Sequence, residues 1–395
     1  MPGLTWIADA LVVPCSGRPR DGRGWFLDGG IYDAEGRLVP ACQHRGELAQ
    51  HVAPAQIPRT GLPTTPGRFV FGGWLQRHFG HLLITLGRLW ALRDLEGQVE
   101  GVVFLRLPDD GFHRPAHGPH RLPMVAELLA CLGTGGGGPA VRLVAAPTRF
   151  EQLAMPDQIL FGAAETCAAD NAAWLATLRR MRDAPRVRHG LVLPRLYVSR
   201  RRLRETLGRY LFEDMLEENL AAEGYAIMYP ECLGIAEQVA AYAAARQVIF
   251  AESSALHLAI GQIDPDTPVA VIARRRPMAA RLQREIAAAD LRRASRIDAI
   301  EGAVVALDGR RISAAASFAA LALLNFAALR AELVAAGLCH GRNWRLPTGP
   351  EIEARIAEAI ATRRKLMPNT QVRYITADQL AGVAALDHSA GAAPA

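Results

Sequence analysis

The pattern of apolar and polar positions divides the chain into a weakly patterned start and a longer part in which strands alternate with helices. Residues 1 to about 70 combine Gly, Pro and Arg with short apolar pieces, which indicates irregular structure with a few strands or hairpins. Apolar residues at 75, 79, 82, 83, 86 and 90 follow the 3.6-residue period, so a long helix is predicted over 74–95. Apolar runs predict strands at 102–105 and 141–146, with a helix at 124–132 between them. This alternation favours a parallel sheet.

The second half shows the clearer alternation. Strands are predicted at 196–199, 226–229, 248–251 and 269–273, and helices at 203–223, 235–245 and 255–261. Gly224 is expected to end the first of these helices. Four strands with three intervening helices predict a doubly wound α/β domain, in which ligands bind beyond the carboxyl ends of the strands. The segments after Ser199, Tyr229 and Ala251 are therefore the candidate site.

The last part of the chain, from about residue 315, is predicted to be helical, with a second helix at 351–365. Isoleucines at 352, 356 and 360 fall on one face of that helix, and its last turn is basic. Such a helix either docks on a membrane surface or packs back on the protein body, and we favour the packing interpretation. The length of 395 residues predicts about two domains. We expect an N-terminal acceptor-side domain at 1–185, a donor domain at 186–315, and a helical tail at 316–395 with a disordered end.

Composition narrows the class of protein. The 45 Lys and Arg exceed the 39 Asp and Glu by a modest margin, which suits anionic small ligands or a membrane surface. No basic block interleaved with aromatic residues occurs in the sequence, so nucleic acid is not an expected partner. The six cysteines are scattered without a CxxC or metal spacing, which is typical of a reduced, cytoplasmic protein. Asp9 interrupts the first apolar run and no run of about 18 apolar residues follows, so neither a signal peptide nor a spanning helix is expected.

Two segments after predicted strands have the chemistry of an anion site. Arg200, Arg201, Arg202 and Arg204 follow the strand at 196–199, and guanidinium groups suit bidentate phosphate contacts. Such a run is equally common on a solvated face, and its place at the crevice favours a ligand mainly for Arg200 and Arg204. Ser253 and Ser254 open the helix after the strand at 248–251, where hydroxyls and backbone N–H groups attract an anion. One of these serines is also expected to act simply as an N-cap.

Two further groups of polar residues lie on predicted helices. Glu237 is in the first turn of the helix at 235–245, where its carboxylate could accept bonds from ribose hydroxyls or only complement the helix dipole. His78, His81, Thr85 and Arg88 form a polar stripe on the helix predicted at 74–95. A histidine there could take a proton at neutral pH, although single helix histidines are more often structural.

The sequence Asp264-Pro265-Asp266 has the form of a metal-binding DxD, but it precedes its strand and is a natural turn. No metal ligands are therefore predicted.

Several sequence blocks together resemble glycosyltransferase family 61, whose bacterial members are often capsular polysaccharide biosynthesis proteins. These blocks are FGHLLITLGRLWAL, LYVSRRRLRETLGRYLFED followed by EGYAIMYPE, IAEQVAAYAAARQVIFAESSALH, and VAVIAR, between residues 79 and 274. The resemblance implies a GT-B architecture of two facing Rossmann-like domains and an inverting transfer of a sugar from a nucleotide-sugar donor. It implies no cofactor and no metal. The acceptor is expected to be a glycan or a lipid-linked molecule, and contact with the inner face of a membrane would be peripheral.

The resemblance also assigns residues by matching positions. His81 and Arg88 match the N-domain motif, and the donor-domain matches are Arg200, Arg209, Glu237, Ser254 and His257. Thr85 stands where members of the family commonly have an acid, and Phe212 precedes Glu213 where they commonly have Asn. Because that acid is missing, the general base is then His81, with His78 as a substitute, or a carboxylate elsewhere in the chain. The alternatives are a catalytically inactive glycan-binding or scaffold homologue and a polysaccharide pyruvyl transferase.

Overall fold

The computed structural model describes residues 2–19, 25–43, 49–52, 61–75, 86–106, 122–132, 140–183, 193–204, 207–275, 279–307 and 319–380. The chain divides into two compact units. The first comprises Met1–Gly190 with Gly234–Ala240 and His257–Gln262, and the second comprises Leu191–Leu233, Ala241–Leu256 and Ile263–Ala395. The described elements are a mixture of helices and sheets, several of them with parallel strands, which confirms the α/β class.

A seven-stranded mixed sheet forms the centre of the first unit, with strand order β3-β2-β1-β7-β4-β5-β6. Its strands are β1 Leu4–Pro19, β2 Trp25–Tyr32, β3 Ala49–Val52, β4 Thr64–Leu75, β5 Gly101–Arg106, β6 Ala140–Val144 and β7 Thr148–Pro156. Strands β7, β4, β5 and β6 are parallel to one another, whereas β1 is antiparallel to β2 and β7. The predicted parallel arrangement is therefore confirmed for strands β7, β4, β5 and β6. Beyond β7 the sheet continues with the antiparallel hairpin of β1 and β2.

The long helix predicted over 74–95 is wrong. Trp74 and Leu75 end strand β4, a 3-10 turn follows at Leu86–Arg88, and only helix α1, Ala91–Asp94, is helical. Residues 76–85 lie outside the described residues. Strand β4 lies between two other strands, and its apolar residues are buried on both faces of the sheet. Only Trp74 and Leu75 of this strand fall within the predicted helix, and pairing with β5 gives them an extended conformation.

The first unit contains two longer helices, α2 at Leu122–Cys131 and α3 at Ala168–Arg179. Further α-helices among the described residues are α4 Glu213–Ala222, α5 Ile235–Ala244, α6 Ala255–Ala259, α7 Ala279–Ala288, α8 Phe326–Ala335 and α9 Gly349–Leu366. No helix within the described ranges is both long and apolar enough to cross a membrane.

The second unit contains a five-stranded, fully parallel sheet, which positions the candidate site. Its strands are β8 Arg195–Val198, β10 Ala226–Met228, β11 Gln247–Ala251, β12 Val269–Ile272 and β13 Ala294–Ile297, in the order β10-β8-β11-β12-β13. All four predicted strands are confirmed, and β13 adds a fifth. All five strands are short; β8, β11 and β12 are almost wholly buried, as expected for a parallel sheet with both faces covered, whereas the edge strands β10 and β13 are mostly half-buried.

The helix predicted over 203–223 is wrong in its first half. Arg209–Tyr210 forms a short strand, β9, and only α4 is helical. Strand β9 pairs with β15, Leu321–Leu324, so a partner distant in the sequence decides the conformation of this segment. Helix α4 ends as predicted at Gly224, which has a φ of 88°, because the N–H groups of Gly224 and Tyr225 bond back to Ala221 and Leu220.

The C-terminal part of the second unit is not only helical. Strands β14 (Ile300–Leu307), β15 and β16 (Gln371–Thr376) form a four-stranded sheet with β9, in the order β16-β14-β15-β9. Helix α9 packs its isoleucines at 352, 356 and 360 against the core of the unit. Arg355 of the same helix donates to the carbonyl of Leu211 at 3.0 Å and to Asp214 at 3.1 Å. The tail thus supports the segment that joins β9 to α4.

Candidate active site

The order of the parallel strands defines a crevice. The chain runs from β8 outward to β10 on one side, and then crosses to β11, β12 and β13 on the other. The connections therefore change direction between β8 and β11, and ligands of doubly wound sheets bind at this switch point, outside the carboxyl ends of the strands. Arg200, Glu252 and Arg274 follow β8, β11 and β12 at this edge, and all three belong to the second unit.

Arg200 has a defined position beside the buried carboxylate of Glu213, whose residue is only 2% exposed. Oε1 of Glu213 accepts the backbone N–H of Arg200 at 2.6 Å and the hydroxyl of Tyr197 at 3.3 Å. The Nε–H of Arg200 donates to the carbonyl of Gly208 at 2.9 Å. No described residue accepts a hydrogen bond from the two terminal nitrogens of Arg200, so both can bind a ligand.

A second carboxylate, that of Glu252, connects the segments that follow β11 and β12. It is 5% exposed and accepts the backbone N–H groups of Arg274 at 2.8 Å and Arg275 at 3.1 Å. The side chain of Arg275 forms an ion pair with it at 2.7 Å. The hydroxyl of Tyr210 accepts the N–H of Glu252 at 3.3 Å and donates to the carbonyl of Ile272 at 2.5 Å. Strand β9 therefore helps to fix these segments.

We define the anion cluster as Arg200, Arg274 and Arg275. These three guanidinium groups outnumber the two neighbouring carboxyl groups, those of Glu213 and Glu252. Burial, together with repulsion from Arg200 and Arg275, lowers the pKa of Arg274 to about 9, so it remains protonated at neutral pH. Burial also lowers the pKa of Arg200. Burial opposes ionisation of Glu252, but Arg275 and Arg274 outweigh it and lower its pKa. An anion bound here would relieve the repulsion among the guanidinium groups.

Ser253 adds a hydroxyl next to the anion cluster. Its Oγ is buried, and it has no hydrogen-bond partner among the described residues. A buried hydroxyl without a partner is costly, which is a reason to expect a ligand there. Ser253 and Ser254 are both half-buried and immediately precede α6. Because α6 is only one turn long, the hydroxyl is a stronger indication of a ligand than the helix end.

A network beside the cluster extends toward β10. Glu217, which is 5% exposed, accepts the hydroxyl of Ser199 at 2.6 Å and that of Tyr229 at 3.0 Å. It also forms an ion pair with Arg201 at 2.9 Å. Ser199 has one proton and lies 3.1 Å from Glu213 as well, so the two carboxylates compete for it. This network fixes the segments after β8 and β10 relative to each other.

The other predicted arginines of the second unit differ in their surroundings. Arg204 is exposed, and its side chain makes no hydrogen bond or ion pair with a described residue. Arg209 is half-buried and donates to the carbonyl of Arg201 at 3.1 Å, in the segment that also carries Arg200. The structure therefore brings Arg200 and Ser253 to the same edge of the sheet, gives Arg209 a supporting contact, and leaves the role of Arg204 a prediction.

Two of the predicted donor residues belong to the first unit. Glu237 accepts the N–H of Gly234 at 2.9 Å at the start of α5, so its carboxylate lies at the N-terminus of that helix, where it complements the helix dipole. Glu127 of α2 accepts the neighbouring N–H of Ala236 at 3.3 Å. His257 is half-buried in α6. A ligand role for Glu237 or His257 remains a prediction.

The predicted catalytic stripe is described only at Arg88. This residue is 2% exposed, and its guanidinium donates to the carbonyls of Pro156 and Gln43 and lies 5.1 Å from the ring centroid of Phe71. These contacts stabilise the first unit around Arg88. His78, His81 and Thr85 lie outside the described residues.

The DxD sequence lies before β12, at the opposite edge of the sheet from the anion cluster. Asp264 accepts the N–H of Asp266 at 3.0 Å, as in an Asx turn, and Asp266 forms an ion pair with Arg292 at 3.0 Å. No group of three potential metal ligands occurs among the described residues.

Sequence reasoning missed Arg274, Arg275 and the carboxylates that support them. The rule that ligands bind beyond strand ends was applied to three of the strands, and applying it to β12 would have found Arg274 and Arg275. Glu252 directly follows β11, so the same rule also predicts it to lie at the ligand edge of the sheet. Glu213 and Glu217 are spaced by four residues on the apolar side of α4, and acidic residues at buried helix positions are a usable signal.

Residues 74–270 match the family model for glycosyltransferase 61. The chain contains a glycosyltransferase family 61 domain. Such a domain implies a glycosyltransferase, which would bind a sugar donor and an acceptor. The match includes β8 to β11 and the first half of β12, but ends before Arg274 and before strands β14 to β16. No curated protein matches the chain.

Proposed function

We propose that this family 61 protein transfers a sugar from a nucleotide-sugar donor to a glycan or lipid-linked acceptor, with inversion at the sugar carbon, in cell-surface polysaccharide biosynthesis. The observation that carries the proposal is the anion cluster at the switch point of the parallel sheet. A nucleotide sugar contains a diphosphate, and three guanidinium groups with an unpartnered serine hydroxyl suit its oxygens. The same charges would stabilise the departing nucleoside diphosphate as negative charge develops on it.

The reaction is proposed to need no metal, because the guanidinium groups can themselves balance the charge of the leaving diphosphate. We assign the general base to His81, with His78 as the substitute, on the family motif. The architecture is proposed to be GT-B, with the donor bound by the second unit. We propose that the reaction takes place in the cytoplasm, where nucleotide sugars are made, with peripheral contact to the inner membrane face.

Calorimetry with nucleoside diphosphates tests the donor site. Replacing Arg200 by Ala removes charge-assisted bonds and should weaken binding by about 1.5–3 kcal/mol. Arg246→Ala is the matched control, because Arg246 is exposed and precedes β11 at the opposite edge of the same sheet. Equal affinity of the Arg200 variant and the parent protein would remove Arg200 from the site.

A turnover assay separates the proposed activity from the alternatives. Release of nucleoside diphosphate from a nucleotide sugar, dependent on an acceptor, is expected of the transferase. A scaffold protein would show no turnover, and a pyruvyl transferase would require phosphoenolpyruvate instead.

A further inference from the structure

An arginine and a tyrosine stack on each other beside the anion cluster. The guanidinium carbon of Arg202 lies 4.0 Å from the ring centroid of Tyr229, and we name this pair the Arg202–Tyr229 platform. The tyrosine is oriented by its hydroxyl, which donates to the buried Glu217 at 3.0 Å. One edge of the guanidinium is 4.0 Å from Sγ of Cys232. Arg202 is exposed, so its guanidinium is accessible to a ligand.

The place of the platform in the sheet relates it to the donor. Arg202 follows β8 and Tyr229 follows β10, and these strands are neighbours. The anion cluster occupies the ends of β8 and β12, with Glu252 and Ser253 at the end of β11 between them, so the platform lies on the β10 side of it. In doubly wound nucleotide-binding domains the phosphates lie at the first strand, while an acidic residue beyond the second strand binds the ribose. The second strand of this domain is β10.

An acidic residue is present at the corresponding place. Glu231 follows β10 by three residues, is exposed, and makes no hydrogen bond or ion pair with the described residues. Glu237, the carboxylate first considered for a ribose, instead accepts the N–H of Gly234. Of these two carboxylates, only that of Glu231 makes no hydrogen bond with the described residues.

The chemistry of the platform selects a nucleobase rather than a sugar ring. Sugars pack their C–H groups on an aromatic face, but the guanidinium covers this face of Tyr229. A guanidinium plane stacks well on the flat face of a base, as arginines do in nucleic-acid-binding proteins. The remaining open surface is therefore suited to a base.

We propose that the Arg202–Tyr229 platform binds the nucleobase of the donor nucleotide and that Glu231 binds its ribose. This inference rests on the proposed function, because it places the nucleoside next to the diphosphate at the anion cluster.

Binding of two probes, inorganic pyrophosphate and a series of nucleoside diphosphates, tests the inference by calorimetry. Arg202→Ala should weaken the best-bound nucleoside diphosphate about tenfold, the size expected for a lost stacking contact, and should change pyrophosphate binding less than about twofold. Arg202→Lys keeps the charge but not the plane, so it should not restore the affinity. Arg200→Ala should weaken both probes, and Arg246→Ala should weaken neither.

The outcomes separate this inference from the proposed function. Unchanged affinity of Arg202→Ala for nucleoside diphosphates overturns the platform alone, because the parent protein still binds its donor. Full recovery in Arg202→Lys, or an equal loss for pyrophosphate, would show that Arg202 acts as a phosphate charge and also overturns it. If the parent protein binds neither probe, the proposed function and the inference both fail. Retained pyrophosphate binding by the Arg202 variants reports that their site is folded, and melting temperatures report the folding of every variant.

Discussion

Replacement of Glu213 tests whether a buried carboxylate supports the anion cluster. Glu213→Ala removes the acceptor of the Arg200 N–H at 2.6 Å and of the Tyr197 hydroxyl at 3.3 Å. An unsatisfied buried donor costs about 1–3 kcal/mol, and an uncompensated buried charge costs about 3–5 kcal/mol. Because Glu252 also attracts Arg200, we expect an intermediate loss of about 3 kcal/mol in the free energy of unfolding.

Glu213→Gln separates hydrogen bonding from charge. Both contacts, with the Arg200 N–H and the Tyr197 hydroxyl, are made by the same oxygen, Oε1, so an amide oxygen can keep them. We expect the stability of this variant to stay within about 1 kcal/mol of the parent at neutral pH. Burial raises the pKa of Glu213, so the folded state favours its protonated form. The parent should therefore lose stability relative to the Gln variant as the pH rises through that raised pKa.

Urea unfolding followed by circular dichroism measures both variants. Glu218→Ala is the matched control, because Glu218 is on the same helix and its side chain is 69% exposed, so a change of at most about 0.5 kcal/mol is expected. A loss below about 1 kcal/mol for Glu213→Ala, or equal losses for the Ala and Gln variants, would refute the reasoning. Pyrophosphate binding should survive in the Gln variant, since the substitution removes a negative charge beside the arginines.

Three further predictions concern pH, the general base and metal dependence. Hydrogen bonds from Thr348 and Arg345 lower the pKa of Glu351 to about 2 in the folded protein. The cap that Glu351 forms on α9 therefore stabilises the fold fully at a pH above the ordinary pKa of a glutamate, and this stabilisation is lost as the pH falls from there toward about 2. Urea midpoints should show that Glu351→Gln removes this acid-dependent part of the stability, and an unchanged pH profile would contradict it. His81→Gln should reduce turnover about 10²- to 10⁴-fold while leaving the melting temperature and nucleoside diphosphate binding intact, whereas parental turnover would make His81 structural. Transfer should survive a chelator, and a chelator-sensitive rate restored by magnesium would instead support metal ligands such as Asp264 and Asp266.

Four strands of the five-stranded parallel sheet could be predicted from the sequence, because they are short apolar runs and the helices between them show the 3.6-residue period instead. Such runs need no knowledge of distant partners, and Gly224 ends α4 through a purely local left-handed turn. The family resemblance depended on the same region, and the matched residues 74–270 bear it out. Strand β4 was not predicted as a separate strand, because burial on both of its faces removes the period of two that marks a strand.

The sequence by itself determined the α/β class, the edge of the sheet where a ligand would bind, and Arg200 and Ser253 as candidates there. Only the tertiary structure showed that Arg274 and Arg275 complete the cluster and that Glu213 and Glu252 support it. These residues are brought together by strand order and by pairing between β9 and β15, which join positions more than 100 residues apart. Local pattern determines which segments form strands, but the order of the strands depends on the packing of the whole unit.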